Sequence, residues 1–118
     1  MMSIRDLVYR TAQDEIRAGK DAKEIGNIGK ARVCARRGCG IAIEYWLKYN
    51  PSKNWGSSAM SMLAQLQKDQ TISSEIREAA ERLTIKVNQN FETGAEGDPL
   101  KDGEMIIEYF LNTKHLIK

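Results

Sequence analysis

The strongest chemistry in the sequence is basic and lies on one stretch. Gly26-Asn27-Ile28-Gly29-Lys30 is followed by Arg32, Arg36 and Arg37. Glycines, free amide N–H groups and a lysine at a helix N-terminus attract anions. Guanidinium groups grip phosphate or carboxylate in a two-pronged way. Gly29, Lys30, Arg32, Arg36 and Arg37 are therefore the candidate anion-binding set. The stretch is not a P-loop. That motif needs Ser or Thr after the lysine and a glycine five residues before Gly29, where Ala31 and Glu24 stand. No strand precedes it, so it is not a dinucleotide fingerprint either. Two plainer readings stand beside it. The glycines suit a helix–helix turn, and the arginines can pair with carboxylates elsewhere in the chain.

Catalytic groups are sparse, and no catalytic residue is named. The only histidine, His115, lies four residues from the C-terminus, where a general base lacks a rigid setting. No Ser/His/Asp set, metal-ligand cluster or helical Glu/His pair is spaced for chemistry. Neither a cofactor nor a metal is expected. Glu104 and Glu108, four apart on one helix, read as solvent-facing surface. Cys34 and Cys39, five apart on one helix, place their Cα atoms ~8 Å from each other, beyond an unstrained disulfide. They read as buried free thiols of a reducing, cytoplasmic setting.

Positioning these groups falls to five predicted helices. Ser3 with Asp6 caps the first; Ile4, Leu7, Val8, Thr11, Ala12 and Ile16 keep helical spacing, and Gly19 is placed to end it. A charged connection over 20–27 leads to Asn27, which caps a central helix over about 29–49. There Ala31, Ala35, Gly38, Cys39 and Ala42 form a stripe of small side chains that admits close helix packing. Arg32 and Arg36 border this stripe, while Lys30 and Arg37 lie on the other side. Asn50-Pro51 ends the helix. Ser57 or Ser58 caps a short third helix with Ala59, Met62, Leu63 and Leu66 inward. Ser73 caps a longer fourth, with Ile76, Ala79, Ala80, Leu83 and Val87 inward and Ile85 off that stripe. Residues 90–99 form the longest loop. A last helix runs from about Leu100 or Lys101 to Lys114, apolar at Leu100, Ile106, Ile107, Phe110 and Leu111. Nothing alternates with period two over a strand's length, so no sheet is predicted.

The chain has 118 residues, room for one domain (1–118) with one core. Its net charge of +2 does not by itself call for a polyanion. Charge is uneven along the chain, however: residues 30–48 carry five cations against Glu44, and residues 69–108 carry ten carboxylates against four cations. Such a contrast suits internal pairing or association of copies. No apolar run approaches a membrane span or a signal peptide, so no membrane partner and a cytoplasmic location are expected.

The run Lys30-Ala31-Arg32-Val33-Cys34-Ala35-Arg36-Arg37-Gly38-Cys39-Gly40-Ile41-Ala42 resembles the central helix of small helical proteins of the HEPN type (higher eukaryotes and prokaryotes nucleotide-binding). The resemblance implies an all-α, up-and-down bundle of about five helices, often dimeric. It also implies a working life as a ribonuclease, as the partner of a minimal nucleotidyltransferase, or as a nucleotide or RNA binder. The ribonuclease members carry an Arg and a later His with four to six residues between them. Here Glu108, Tyr109 and Phe110 precede His115 at those positions, so no nuclease residue carries over.

Two functions are expected from different classes. One is a non-catalytic interaction module, homodimeric and partnered by a nucleotidyltransferase-like protein. The other is binding of nucleotide or RNA through the basic ridge of the central helix. Exposure of Lys30, Arg32 and Arg36 separates them. Self-association is expected through the last helix, where Met105, Ile106, Ile107, Tyr109, Phe110 and Leu111 are nearly contiguous, with Ile41 and Ile85 as further unpartnered apolar positions.

Overall fold

A computed structural model describes residues 2–85 and 97–112. These form five helices and no strand: α1 (Ile4–Glu24), α2 (Ile28–Leu47), α3 (Ala59–Lys68), α4 (Ser74–Thr84) and α5 (Pro99–Leu111). The protein is an all-α bundle. Its helices start where short polar side chains satisfy otherwise orphaned amides. Ser3 Oγ accepts from Asp6 N, Asn27 Oδ1 from Lys30 N, and Asp98 Oδ1 from Leu100 N with Pro99 opening α5. Ser58 and Ser61 close a reciprocal capping box at the start of α3. Ser73 occupies the N-cap of α4 without a side-chain bond.

Central in sequence, α2 is also central in space, since it packs against each of the other four helices. Its small-residue stripe is buried throughout: Ala31, Ala35, Gly38, Cys39 and Ala42. A Cβ on Gly38 would lie 3.1 Å from the Ala12 carbonyl oxygen of α1 and 3.1 Å from Ile107 Cδ1 of α5. Gly103 of α5 answers from the other side, its Cβ position 3.3 Å from Ala35 Cβ. Gly38→Leu is therefore expected to force the α1–α2–α5 contact apart and cost ~1–3 kcal/mol in urea unfolding. An unchanged midpoint would show that the helices are not in close contact there.

Gly19 departs from expectation. It does not end α1, which continues five residues further to Glu24. Instead it is buried, with its Cβ position 2.4 Å from Leu100 Cδ2 and 3.2 Å from Cys34 Cβ, so its missing side chain is room for α2 and α5. The helix ends at Ile25, and Gly26 makes the turn with φ +84°, a left-handed conformation that glycine adopts without strain. The connection over 20–27 is thus mostly helix. At the other end, α2 closes at Leu47, before Pro51, by tightened bonds from Lys48, Tyr49 and Asn50 N–H back three residues.

The inward residues of α3 and α4 match their periodicity: Met62, Leu63, Leu66, Ile76, Ala79, Ala80 and Leu83 are buried. Val87, most of the 90–99 loop, the expected extension of α5 to Lys114, and His115 lie outside the described residues. Cys34 and Cys39 are both free and buried.

The expectation of an apolar dimer face on the last helix is corrected. Ile106, Ile107 and Phe110 are fully buried and Leu111 nearly so, while Met105, Tyr109 and Ile41 are half-buried against the same core. Three helices, α1, α2 and α4, pack on α5 closely enough for one chain to enclose these side chains. Phe110 meets Trp46 edge-on at 4.9 Å between ring centroids, and Trp55, itself packed on Trp46, stands at 6.3 Å. Ile85, half-buried, follows the last turn of α4 and lies outside the helix.

Candidate functional site

The five candidate anion ligands do not converge on one surface. Arg32 is 5% exposed and points inward. Its Nη2 donates to the carbonyl oxygens of Arg82, Leu83 and Ile85 at 3.0, 3.1 and 3.1 Å. Arg36, half-buried one turn on, donates from Nε to the Leu83 carbonyl at 2.7 Å. Both guanidinium groups therefore sit at the C-terminal end of α4, where unpaired carbonyls carry partial negative charge. Burial lowers the pKa of Arg32 below the usual arginine range, with the Arg36 charge adding to the effect and Asp102 opposing it. Burial alone lowers that of Arg36.

Expected acceptors were carboxylates; the acceptors found are main-chain carbonyls. The carboxylate of this region belongs to a different arginine. Arg82, on the last turn of α4, pairs with Asp102 of α5 through Nε–Oδ2 at 3.0 Å and Nη2–Oδ1 at 2.8 Å. The hydrogen bond from Arg82 to Asp102 raises the Arg82 pKa, burial opposes this, and their mutual charge adds to it. Arg32, Arg36, Arg82 and Asp102 together bolt the end of α4 to α2 and α5. Asp102 carried a readable sign: it lies four residues before Ile106 and eight before Phe110, on the inward side of α5, and an acid there needs a cation. Arg82 carried none, because Glu78 four residues earlier offered a local partner.

Lys30 and Arg37 remain exposed, and Gly29 is half-buried. The amides at the start of α2 are mostly engaged: Ile28 N donates to Gly26 O, Lys30 N to Asn27 Oδ1, and Ala31 N to Asn27 O. That end of α2 keeps little capacity to cradle an anion.

Arg37 enters a different setting. A cleft of about 360 Å³ opens between α1, α2 and the start of α3. Val8, Gly40, Ile41, Ala59 and Met62 supply its apolar surface, and Glu15, Arg37, Glu44 and Lys48 its charges. Arg37 faces Glu15 at 3.8 Å. With two carboxylates and two cations, the cleft has no net attraction for polyanions. Glu104 and Glu108, expected to be free surface, both reach α1: Glu104 pairs with Lys20 at 3.0 Å, and Glu108 accepts a short hydrogen bond from the Tyr9 hydroxyl. That bond is the chief cause of the raised Tyr9 pKa.

Among the described residues no group of three or more His, Cys, Asp or Glu could hold a metal ion, and no helix is long and apolar enough to cross a membrane. The fold and the inward arginines define a small all-α bundle with a polar bolt between α2, α4 and α5. Compared with family models, curated proteins and solved structures, the chain matches none.

Proposed function

We propose that the chain is a non-catalytic, HEPN-like helical interaction module that works as a homodimer and docks a minimal nucleotidyltransferase-like protein. The observation that carries this reading is the inward turn of Arg32 and Arg36. Arg32 Nη2 and Arg36 Nε bond the carbonyls at the end of α4, so the two residues best suited to grip a phosphate hold the bundle together. Outward-facing large apolar side chains, Met2, Ile4, Leu7, Ile25, Ile28, Val33, Tyr49 and Met60, offer surface for protein contacts instead. The HEPN-like run on α2 supplies the partner class.

Nucleotide or RNA binding is the second reading, favoured by the exposure of Lys30 and Arg37. Fluorescence anisotropy with a labelled single-stranded RNA and with a labelled ATP analogue tests one against the other. At near-physiological salt the expected result is no saturable binding up to ~100 µM protein, because two isolated surface cations neutralise too few phosphates. Low-micromolar binding that Lys30→Glu with Arg37→Glu removes would overturn the interaction-module reading. Co-expression with a minimal nucleotidyltransferase encoded beside this chain checks the partner: a co-eluting complex supports it, and two separate peaks remove it.

A further inference from the structure

Opposite its buried side, α1 carries Leu7, Arg10, Asp14, Arg17, Asp21 and, just past its end, Ile25. The spacing of three or four residues keeps them in one stripe, and all six are exposed. Two features of this stripe exceed what a solvated face needs. Large apolar side chains stand at both ends, Leu7 at 51% exposure near the start and Ile25 at 81% at the finish. Between them the charges alternate in sign: Arg10, Asp14, Arg17, Asp21.

Read backwards, that order is its own complement. Two copies of α1 laid antiparallel place Arg10 opposite Asp21 of the second copy and Asp14 opposite Arg17 of the second copy. Each of these pairs occurs twice about the two-fold axis. The same register brings Leu7 beside Ile25 of the second copy at both ends. Laid parallel, the copies would set Arg10 on Arg10 and Asp14 on Asp14, so the charge pattern itself selects the antiparallel arrangement. Thr11 and Ala18, which flank the stripe, are small enough to let the helices approach. Within one chain Asp14 and Arg17 already pair at 2.9 Å, whereas Arg10 and Asp21 have no ion-pair partner among the described residues.

We infer that the outer face of α1 is the homodimer interface, with a second copy of α1 docked antiparallel on it. This deepens the self-associating reading above and rests on it, while moving the interface from α5 to α1. A helix of 21 residues is about 32 Å long. One such contact buries on the order of 1,000 Å² in total, the range of weak, reversible interfaces. Most of its polar contacts are solvent-exposed charge pairs and therefore salt-sensitive.

Sedimentation equilibrium from about 5 to 500 µM protein tests it, with the dissociation constant expected at about 10–100 µM in low salt. Raising salt from about 20 to 500 mM is expected to weaken the dimer roughly tenfold. The Arg10→Asp/Arg17→Asp variant makes the stripe wholly acidic, and Asp14→Arg/Asp21→Arg makes it wholly basic. Each alone is expected to sediment as a monomer with the circular dichroism of the parent, and an equimolar mixture of the two is expected to regain dimer mass. A parent chain that stays monomeric at every concentration in low salt overturns both the self-association and this interface. A dimer that both variants retain overturns the interface alone. Two monomeric variants that fail to pair with each other overturn the charge-paired α1 contact.

Discussion

Arg32→Met is expected to destabilise the protein by ~2–4 kcal/mol, lowering the thermal midpoint by about 10 °C in a domain of this size. Methionine keeps most of the aliphatic packing of the arginine stem, so the loss isolates the guanidinium group. Removing a buried charge can be neutral or favourable when its partners leave with it. Here they remain: the carbonyls of Arg82 and Ile85 lose the Arg32 donor, and only Leu83 O keeps Arg36. The C-terminal end of α4 also loses a cation from its negative pole, worth a further fraction of a kcal/mol. Against a total stability of ~5–15 kcal/mol this is a large share. Arg37→Met is the control. Its side chain is 61% exposed and 3.8 Å from Glu15, so its change should stay within ~0.5 kcal/mol. Urea unfolding of the two variants decides the matter, and equal losses would show that Arg32 is no more anchored than its exposed neighbour.

The contrast between these arginines also marks how far the chain could be read beforehand. Helix starts were legible because a cap is a local device: Ser3, Asn27 and Ser58 each bond an amide three residues on. The packing face of α2 was legible from the spacing of Ala31, Ala35, Gly38, Cys39 and Ala42, since only one face of a helix can collect them. Gly19 was misread because glycine serves two purposes, ending a helix or admitting a neighbour, and the choice was made by Leu100, 81 positions away. Periodicity placed Arg32 and Arg36 beside the packing stripe but could not say what they meet. Their acceptors are main-chain carbonyls, which every residue has and no sequence pattern marks; they became available only because α4 ends at Thr84, opposite α2. The last helix was read correctly for its inward residues and wrongly for their use. A run with apolar side chains on several faces looks like an unmet surface until the neighbours that enclose it are known, here α1, α2 and α4.

Phe110 decides between those two uses with the largest effect of any single side chain. It is fully buried. Its ring lies 4.9 Å from Trp46, 5.1 Å from Tyr109 and 6.3 Å from Trp55, all in near edge-to-face arrangements. Phe110→Ala removes the ring from this cluster and leaves a cavity, at an expected cost of ~3–5 kcal/mol; lost aromatic pairing belongs to that sum, at ~0.5–1.5 kcal/mol per ring pair. Phe110→Glu goes further, because it sets a carboxylate among rings that offer it no cation, and such a group must either take up a proton or drag the helix into water. The expected result is a chain without a cooperative unfolding transition near neutral pH. Both tryptophans of the protein adjoin Phe110, so their emission reports on the site directly. It should shift to the red with Phe110→Glu in dilute buffer, and with Phe110→Ala only once urea unfolds the chain. A Phe110→Glu protein that keeps its helical circular dichroism and its blue-shifted emission, and changes only its sedimenting mass, would place the ring at an intermolecular contact and return the last helix to the surface.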